Sequence, residues 1–357
     1  MKRGKVLSLF LLAASVGILA GVQRLFAPKY TGQVVEGAFI EEYYRETTPH
    51  DVIFLGDCQV YENISPIALW REYGITSYIR GSAQQLIAQS YYILEDTLRH
   101  EIPKAVVFSV SAMQQYGQDN ESYNRMTLDG MEWSLAKVNA IRETMMEDEH
   151  MIEYVFPLLR FHSRWKELGE DDLRYYFSKP KVSHNGYYMR ADVRPAGEFP
   201  VQRRRSDYSF DDRAWEYLER LRLLCEEKGI RFILIKSPAG YPAWYDQWEV
   251  QIEEYAKTWR LTYVNCLEEI DSIGIDLSTD TYDGGLHMNV YGAEKVSLYL
   301  GKILMDVPGI EDRRRDRDSP ENLVCVWEEK CQFYDEMKRK QETEFAEFGY
   351  LKQFEIH

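Results

Sequence analysis

The stretch Val52-Ile53-Phe54-Leu55-Gly56-Asp57-Cys58-Gln59-Val60-Tyr61 decides how this chain is read. Four apolar residues end on a glycine, and an acid and a thiol follow with no linker between. A short apolar run bounded by a turn signal reads as a buried strand. Whatever follows such a strand in a parallel sheet stands at the carboxyl edge, where open α/β sheets bind their ligands. Cys58 is therefore a candidate reactive group.

Outward from that point, short β-rich runs alternate with longer amphipathic ones. Strands are expected at 52–55, 76–79, 105–110, 231–235 and 262–264, and helices at 83–100, 211–228, 248–259 and 292–305. That alternation predicts an α/β fold with a parallel sheet and crossover helices. It breaks at about 114–206, which predicts a large helical insertion, with helices at 134–147 and 151–168 and a loop over 179–205. The segment 309–357 turns to charge and then to a helical tail over 322–353, docked by its Trp327, Phe333, Tyr334 and Phe345 face. The expected organisation is thus 1–29, 30–308 and 309–357.

At the amino terminus, Lys2, Arg3 and Lys5 precede Val6–Val22, a run of 17 residues without a charge. At 1.5 Å per residue the run spans about 26 Å, and Leu25-Phe26-Ala27 carries it to about the bilayer core thickness. It is longer than the apolar core of a usual signal peptide, and no small-x-small cleavage site follows. The expectation is an uncleaved single-pass anchor in the cell membrane, with the basic end inside and the main domain extracytoplasmic.

Composition narrows the partners. Of 357 residues, 45% are hydrophobic and 14% aromatic, which argues for a folded chain. A net charge of −15 repels a polyphosphate backbone, so nucleic acid is not expected as a partner. A glycan or cell-wall polymer fits the acidic, aromatic-rich composition better. The five cysteines are too scattered for a disulfide framework or a CxxC-type zinc site, and no cofactor or metal is expected.

A second chemical stretch lies near the end of the α/β region: Thr279-Asp280-Thr281-Tyr282-Asp283-Gly284-Gly285-Leu286-His287-Met288-Asn289. A glycine-rich loop carrying acids and a histidine just before a helix reads as a base with its orienter. Thiol first, acid and histidine last, with Gly-Asp before the thiol, resembles the SGNH or GDSL hydrolases over roughly 51–305, interrupted by the insertion. The resemblance implies a three-layer, flavodoxin-like α/β domain that hydrolyses esters. By position, Cys58 matches the serine nucleophile, His287 the general base, and Gly81 in Arg80-Gly81-Ser82 the glycine whose N–H joins that of Cys58 in the oxyanion hole. The family spacing Asp-x-x-His meets Gly284 here, so the orienting acid is Asp283 or Asp280. The family's third oxyanion donor is an Asn after the third strand; this chain offers Ser109, Ser111 or Gln114 instead. A thiol poised by His287 is expected to alkylate below the pH of an ordinary thiol.

The anchor, the outward domain and the insertion together also resemble a membrane-anchored subgroup that acylates exported polysaccharides and teichoic acids beside a multipass membrane O-acyltransferase. That likeness implies an esterase or O-acyltransferase acting on a glycan or cell-wall polymer, with the multipass enzyme as a partner. A catalytically weakened scaffold that binds glycan or that membrane enzyme is the alternative. Elsewhere, Cys225 and Cys266 read as core, Cys325 and Cys331 as free thiols, and His162 and His184 as ordinary packed or surface histidines.

Overall fold

The computed structural model describes residues 2–28, 32–114, 117, 120–197, 203–316 and 322–352. Parts of the expected loop over 179–205 and of the tail over 309–357 therefore lie outside the described residues. In chain order the main elements are α1 (Lys2–Phe26), β1 (Val52–Gly56), α2 (Cys58–Tyr61), α3 (Pro66–Tyr73), β2 (Ser77–Gly81), α4 (Ile87–Thr97) and β3 (Ala105–Ser109). After β3 come α5 (Glu121–Gly130), α6 (Leu135–Thr144), α7 (Met151–Val155), α8 (Pro157–Phe161) and α9 (Glu170–Phe177). The chain then returns through α10 (Asp212–Lys228), β4 (Arg231–Lys236), α11 (Asp246–Trp259), β5 (Thr262–Asn265) and α12 (Val290–Leu304) to the tail helix α13 (Leu323–Phe348).

The five strands form one sheet in the order β2-β1-β3-β4-β5, and every pairing is parallel. Their side chains alternate between two cores. Val52, Phe54, Val107, Ile233 and Ile235 pack on one face with α3, α12 and α13, and Ile53, Leu55, Val106, Phe108 and Leu234 pack on the other with α4, α6, α10 and α11. Both faces are covered, so the strands read as near-continuous apolar runs rather than alternating ones. In this strand order the connection reverses between β1 and β3, and a ligand crevice forms at their carboxyl ends.

Local chemistry sets the element boundaries. Ser65 accepts from Ala68 N–H and Pro66 occupies the first turn of α3, while Asn289 accepts from the N–H groups of Tyr291 and Gly292 at the start of α12. Gly56 ends β1 at φ 150°, where a Cβ would stand 2.6 Å from Val60 and 2.9 Å from Ser109, so only glycine lets α2 turn back against β3.

The outer edge of β2 is not bare. Asn185 O accepts from Ile79 N–H, the Asn185 side chain donates to Ser77 O, and Tyr188 N–H donates to Tyr61 O. This part of the expected loop is thus a buried strap that shields a sheet edge. The tail helix docks through Trp327, fully buried and stacked on Trp70 at 5.0 Å, and through Tyr334. His184 packs against Phe333 and Tyr334. All five cysteines are unbridged.

Candidate active site

Cys58 follows β1 and opens α2. The Asp57 side chain accepts from Gln59 N–H, which fixes the turn that carries the thiol to the carboxyl edge of the sheet. The histidine loop arrives from 229 positions downstream, and Asn63 joins the two segments. This fully buried amide donates to Gln59 O (3.2 Å) and Ser237 Oγ (2.6 Å) and accepts from Met288 N–H (2.7 Å). Gln59 adds a bond from its side chain to Leu286 O at 3.2 Å.

Within the loop, Asp283 is the acid that holds the imidazole. Its Oδ2 lies 2.7 Å from His287 Nδ1, and its Oδ1 accepts from His287 N–H at 2.9 Å and from Leu286 N–H at 3.2 Å. Gly284 and Gly285, with φ of 85° and 98°, let the chain wrap around that carboxylate. Asp280 does not serve this role, which corrects the alternative expectation. Its carboxylate pairs with Lys295 Nζ at 2.6 Å and accepts from Asp276 N–H at 2.8 Å, tying the loop to α12.

Sequence reasoning missed Glu62. One helical turn beyond Cys58, it is buried, hydrogen-bonded by the Tyr282 hydroxyl, and 3.6 Å from His287 Nδ1. Cys58 Sγ, a Glu62 carboxylate oxygen and a His287 nitrogen all lie within 4.8 Å of one another. The i,i+4 spacing was visible in the sequence; that the position would face the base was not. Cys, His and carboxylate are also donors that zinc accepts. Here Tyr282 and Asp283 already engage Glu62 and His287, which favours acid–base work.

With Nδ1 engaged by Asp283, Nε2 is the ring nitrogen left to exchange a proton, and it is buried. Electrostatics favour charge on the ring. Burial opposes it, but Glu62, Cys58 and the Asp283 hydrogen bond outweigh burial and push the His287 pKa well above its usual value. Burial pushes Glu62 up to about 7 against the pull of His287. The Cys58 thiol goes up to about 11, through desolvation first and the neighbouring Asp57 second, with His287 opposing. That direction runs against the expected low-pH reactivity of Cys58.

Cys58 opens onto a cleft of about 220 Å³ that Gln84, Ser111, Gln114, Lys236 and Leu286 also line. Lys236 donates to Ser237 O (2.7 Å) and Ala239 O (3.1 Å), and burial lowers it to about 8. Gln84, at φ 50°, bends the loop after β2 toward the cleft. Gly81 ends β2 beside Gly56, where a Cβ would meet Gly56 O at 2.9 Å. Of the three candidates for a further oxyanion donor, Ser111 and Gln114 line the cleft, whereas Ser109 is buried against Gly56 with its Oγ unpartnered. His162 is exposed, and His184 lies under the tail helix.

No family model matches the chain, and no curated protein matches it. Among solved structures it is similar to a protein of Desulfitobacterium hafniense DCB-2 described as lipolytic and of the G-D-S-L family. The identity is 12%, over 71% of this chain and 99% of that one, with a TM-score of 0.36.

Proposed function

We propose that this chain is an SGNH-like acyl-group enzyme, an esterase or O-acyltransferase, held at the outer membrane face by α1 and acting on a glycan or cell-wall polymer. The observation that carries the reading is the placement of Cys58 at the carboxyl edge of β1, beside an imidazole whose Nδ1 is fixed by Asp283 and in front of a cleft. A helix long and apolar enough to cross a membrane, Ser8–Phe26, supports the tether. A tethered domain meets a membrane-exported polymer at raised effective concentration.

In this mechanism neutral His287 Nε2 takes the Cys58 proton as Sγ bonds to the ester carbonyl carbon. The backbone N–H groups of Cys58 and Gly81 receive the oxyanion, each such donor being worth about 2.7–4 kcal/mol in comparable sites. Collapse breaks the C–O bond, the imidazolium protonates the leaving alkoxide, and a thioester remains. Water or a sugar hydroxyl then gives its proton to His287 and its oxygen to the acyl carbon, and Cys58 leaves as the reprotonated thiol. Because the base must be neutral and its surroundings favour imidazolium, turnover should rise from neutral toward alkaline pH.

The test is to incubate the protein with activated short-chain esters and measure intact mass. One acyl adduct on Cys58, discharged faster when oligosaccharide is added, is expected; Cys58→Ala should gain none. A second reading, a weakened scaffold that binds the polymer or a multipass membrane acyltransferase, is favoured by the raised thiol pKa. No adduct with any donor, together with measurable glycan binding, would select it.

A further inference from the structure

The helix α1 is unequally covered along its length. Leu9, Leu12 and Ile18 are well exposed, whereas Gly21, Val22, Gln23, Leu25 and Phe26 are half-buried. What covers the last turn and a half is α8, the turn over 162–166 that follows it, and α9. Leu158 N–H donates to Gln23 Oε1 at 2.6 Å, and Arg164 Nη1 donates to Phe26 O at 2.7 Å. The Arg24 guanidinium lies 5.3 Å from the Tyr176 ring centre, and a methyl on Gly21 would stand 3.0 Å from the Tyr176 hydroxyl.

Around these contacts residues 151–177 present large apolar side chains to the exterior. Trp165 is 65% exposed and Phe177 83%, with Val155, Leu159 and Leu173 also exposed. Leu173 and Phe177, four apart, form one exposed stripe of α9 next to Tyr176, the residue that meets the anchor. The charges among them are matched locally: Arg164 pairs with Asp172 at 3.0 Å, Arg174 with Asp171 at 3.3 Å, and Arg160 with Glu121 at 2.8 Å.

Depth settles what these side chains face. The uncharged run of 17 residues from Val6 covers about 26 Å of a hydrocarbon core of about 30 Å, so α1 must be immersed nearly to Phe26 to cross. Contacts reaching back to Gly21 put α8 and α9 within about 8 Å of its emerging end, the depth of interfacial aromatic and amphipathic residues.

We infer that residues 151–177 form a membrane-seated collar: Leu159, Trp165, Leu173 and Phe177 enter the interfacial zone of the leaflet from which α1 emerges. The partner is the phospholipid surface, held by apolar burial and not by headgroup charge. This rests on reading α1 as an uncleaved anchor.

The test uses full-length protein in phosphatidylcholine vesicles, with photoreactive benzoylphenylalanine in place of Leu12, Trp165, Phe177 or Val250, the last exposed on α11 beside the opposite sheet edge. Mass spectrometry after irradiation should find lipid adducts at 12, 165 and 177, at least about fivefold above position 250. Replacing about a third of the lipid by phosphatidylglycerol should leave the yields unchanged, unlike those of a basic surface patch. Adducts at 12 without adducts at 165 or 177 keep the anchor and overturn the collar. Adducts to protein at 165 and 177 overturn the lipid partner, and a several-fold gain with phosphatidylglycerol overturns the apolar mode. No lipid adduct at 12 removes the anchor and the collar with it.

Discussion

Glu62→Gln removes a buried carboxylate from the flank of His287 while keeping the side-chain volume and an oxygen for the Tyr282 hydroxyl. Glu62 Oε2 stands 3.6 Å from His287 Nδ1. At an effective dielectric of about 20, two full charges at that distance interact by about 4–5 kcal/mol. At about 1.36 kcal/mol per pH unit, the fall in the His287 pKa is capped at roughly 3 units. Two features reduce it. Glu62 is itself pushed up to about 7, so its charge is reduced at neutrality, and Asp283 at 2.7 Å remains in the variant. A downward displacement of about 1–2 units is expected. The sign follows from the charge: an imidazolium that loses a neighbouring carboxylate gives up its proton at lower pH, so the neutral base appears earlier. The assay is an NMR titration of the imidazole Cε1 signals of the seven histidines, with the His287 signal assigned by its loss in His287→Ala. The pH profile of Cys58 acylation should move in the same direction. A His287 midpoint that stays within about 0.3 unit, or rises, would refute the coupling.

Separating the two acids of the loop, Asp283→Asn should slow Cys58 acylation by about two orders of magnitude or more, whereas Asp280→Asn should lower thermal stability by loosening Lys295 and leave the acylation rate nearly intact; parallel rates and melting curves decide. Trp327→Ala should cost about 3–5 kcal/mol and free the tail helix to protease, which denaturation and timed proteolysis can check. Burial, helped by Lys181, lowers His184 to about 3, so the unfolded chain binds a proton from about pH 6.5 downward that the folded chain refuses. Its share of stability should fall by about 2–3 kcal/mol between about pH 6.5 and 4.5, and His184→Phe should flatten that acid limb in denaturant midpoints.

The parallel sheet was legible because β1 to β4 are buried on both faces, so apolar runs mark them: the expected 52–55 and 231–235 are Val52–Gly56 and Arg231–Lys236. Helices defined by polar contacts were less legible. The expected helix 83–100 begins only at Ile87, because Gln85 spends its side chain on Arg80 O and Ser90 in a turn. The expected 151–168 is broken at Pro157, which lacks the N–H to continue α7. In Glu121–Gly130 the buried Asn124 and Arg125 bond to Gln89, Thr144 and Glu149 from distant segments, partners that no local pattern shows. In the site, chain order was enough to single out Cys58 and His287. Choosing Asp283 over Asp280 required knowing that Lys295 claims the second, and finding Glu62 required the closed loop.

The Asn63 clasp has a consequence for biosynthesis. Its partners lie 174 and 225 positions downstream, at Ser237 and Met288. A ribosome adding about 5–20 residues per second needs roughly 11–45 s to cover the longer gap. Each new molecule therefore passes through a period in which the thiol-bearing turn exists without its imidazole. During that interval Cys58 is an ordinary cysteine, open to oxidation or to mispairing with another thiol, and the closing of one amide across three segments marks the end of its vulnerability.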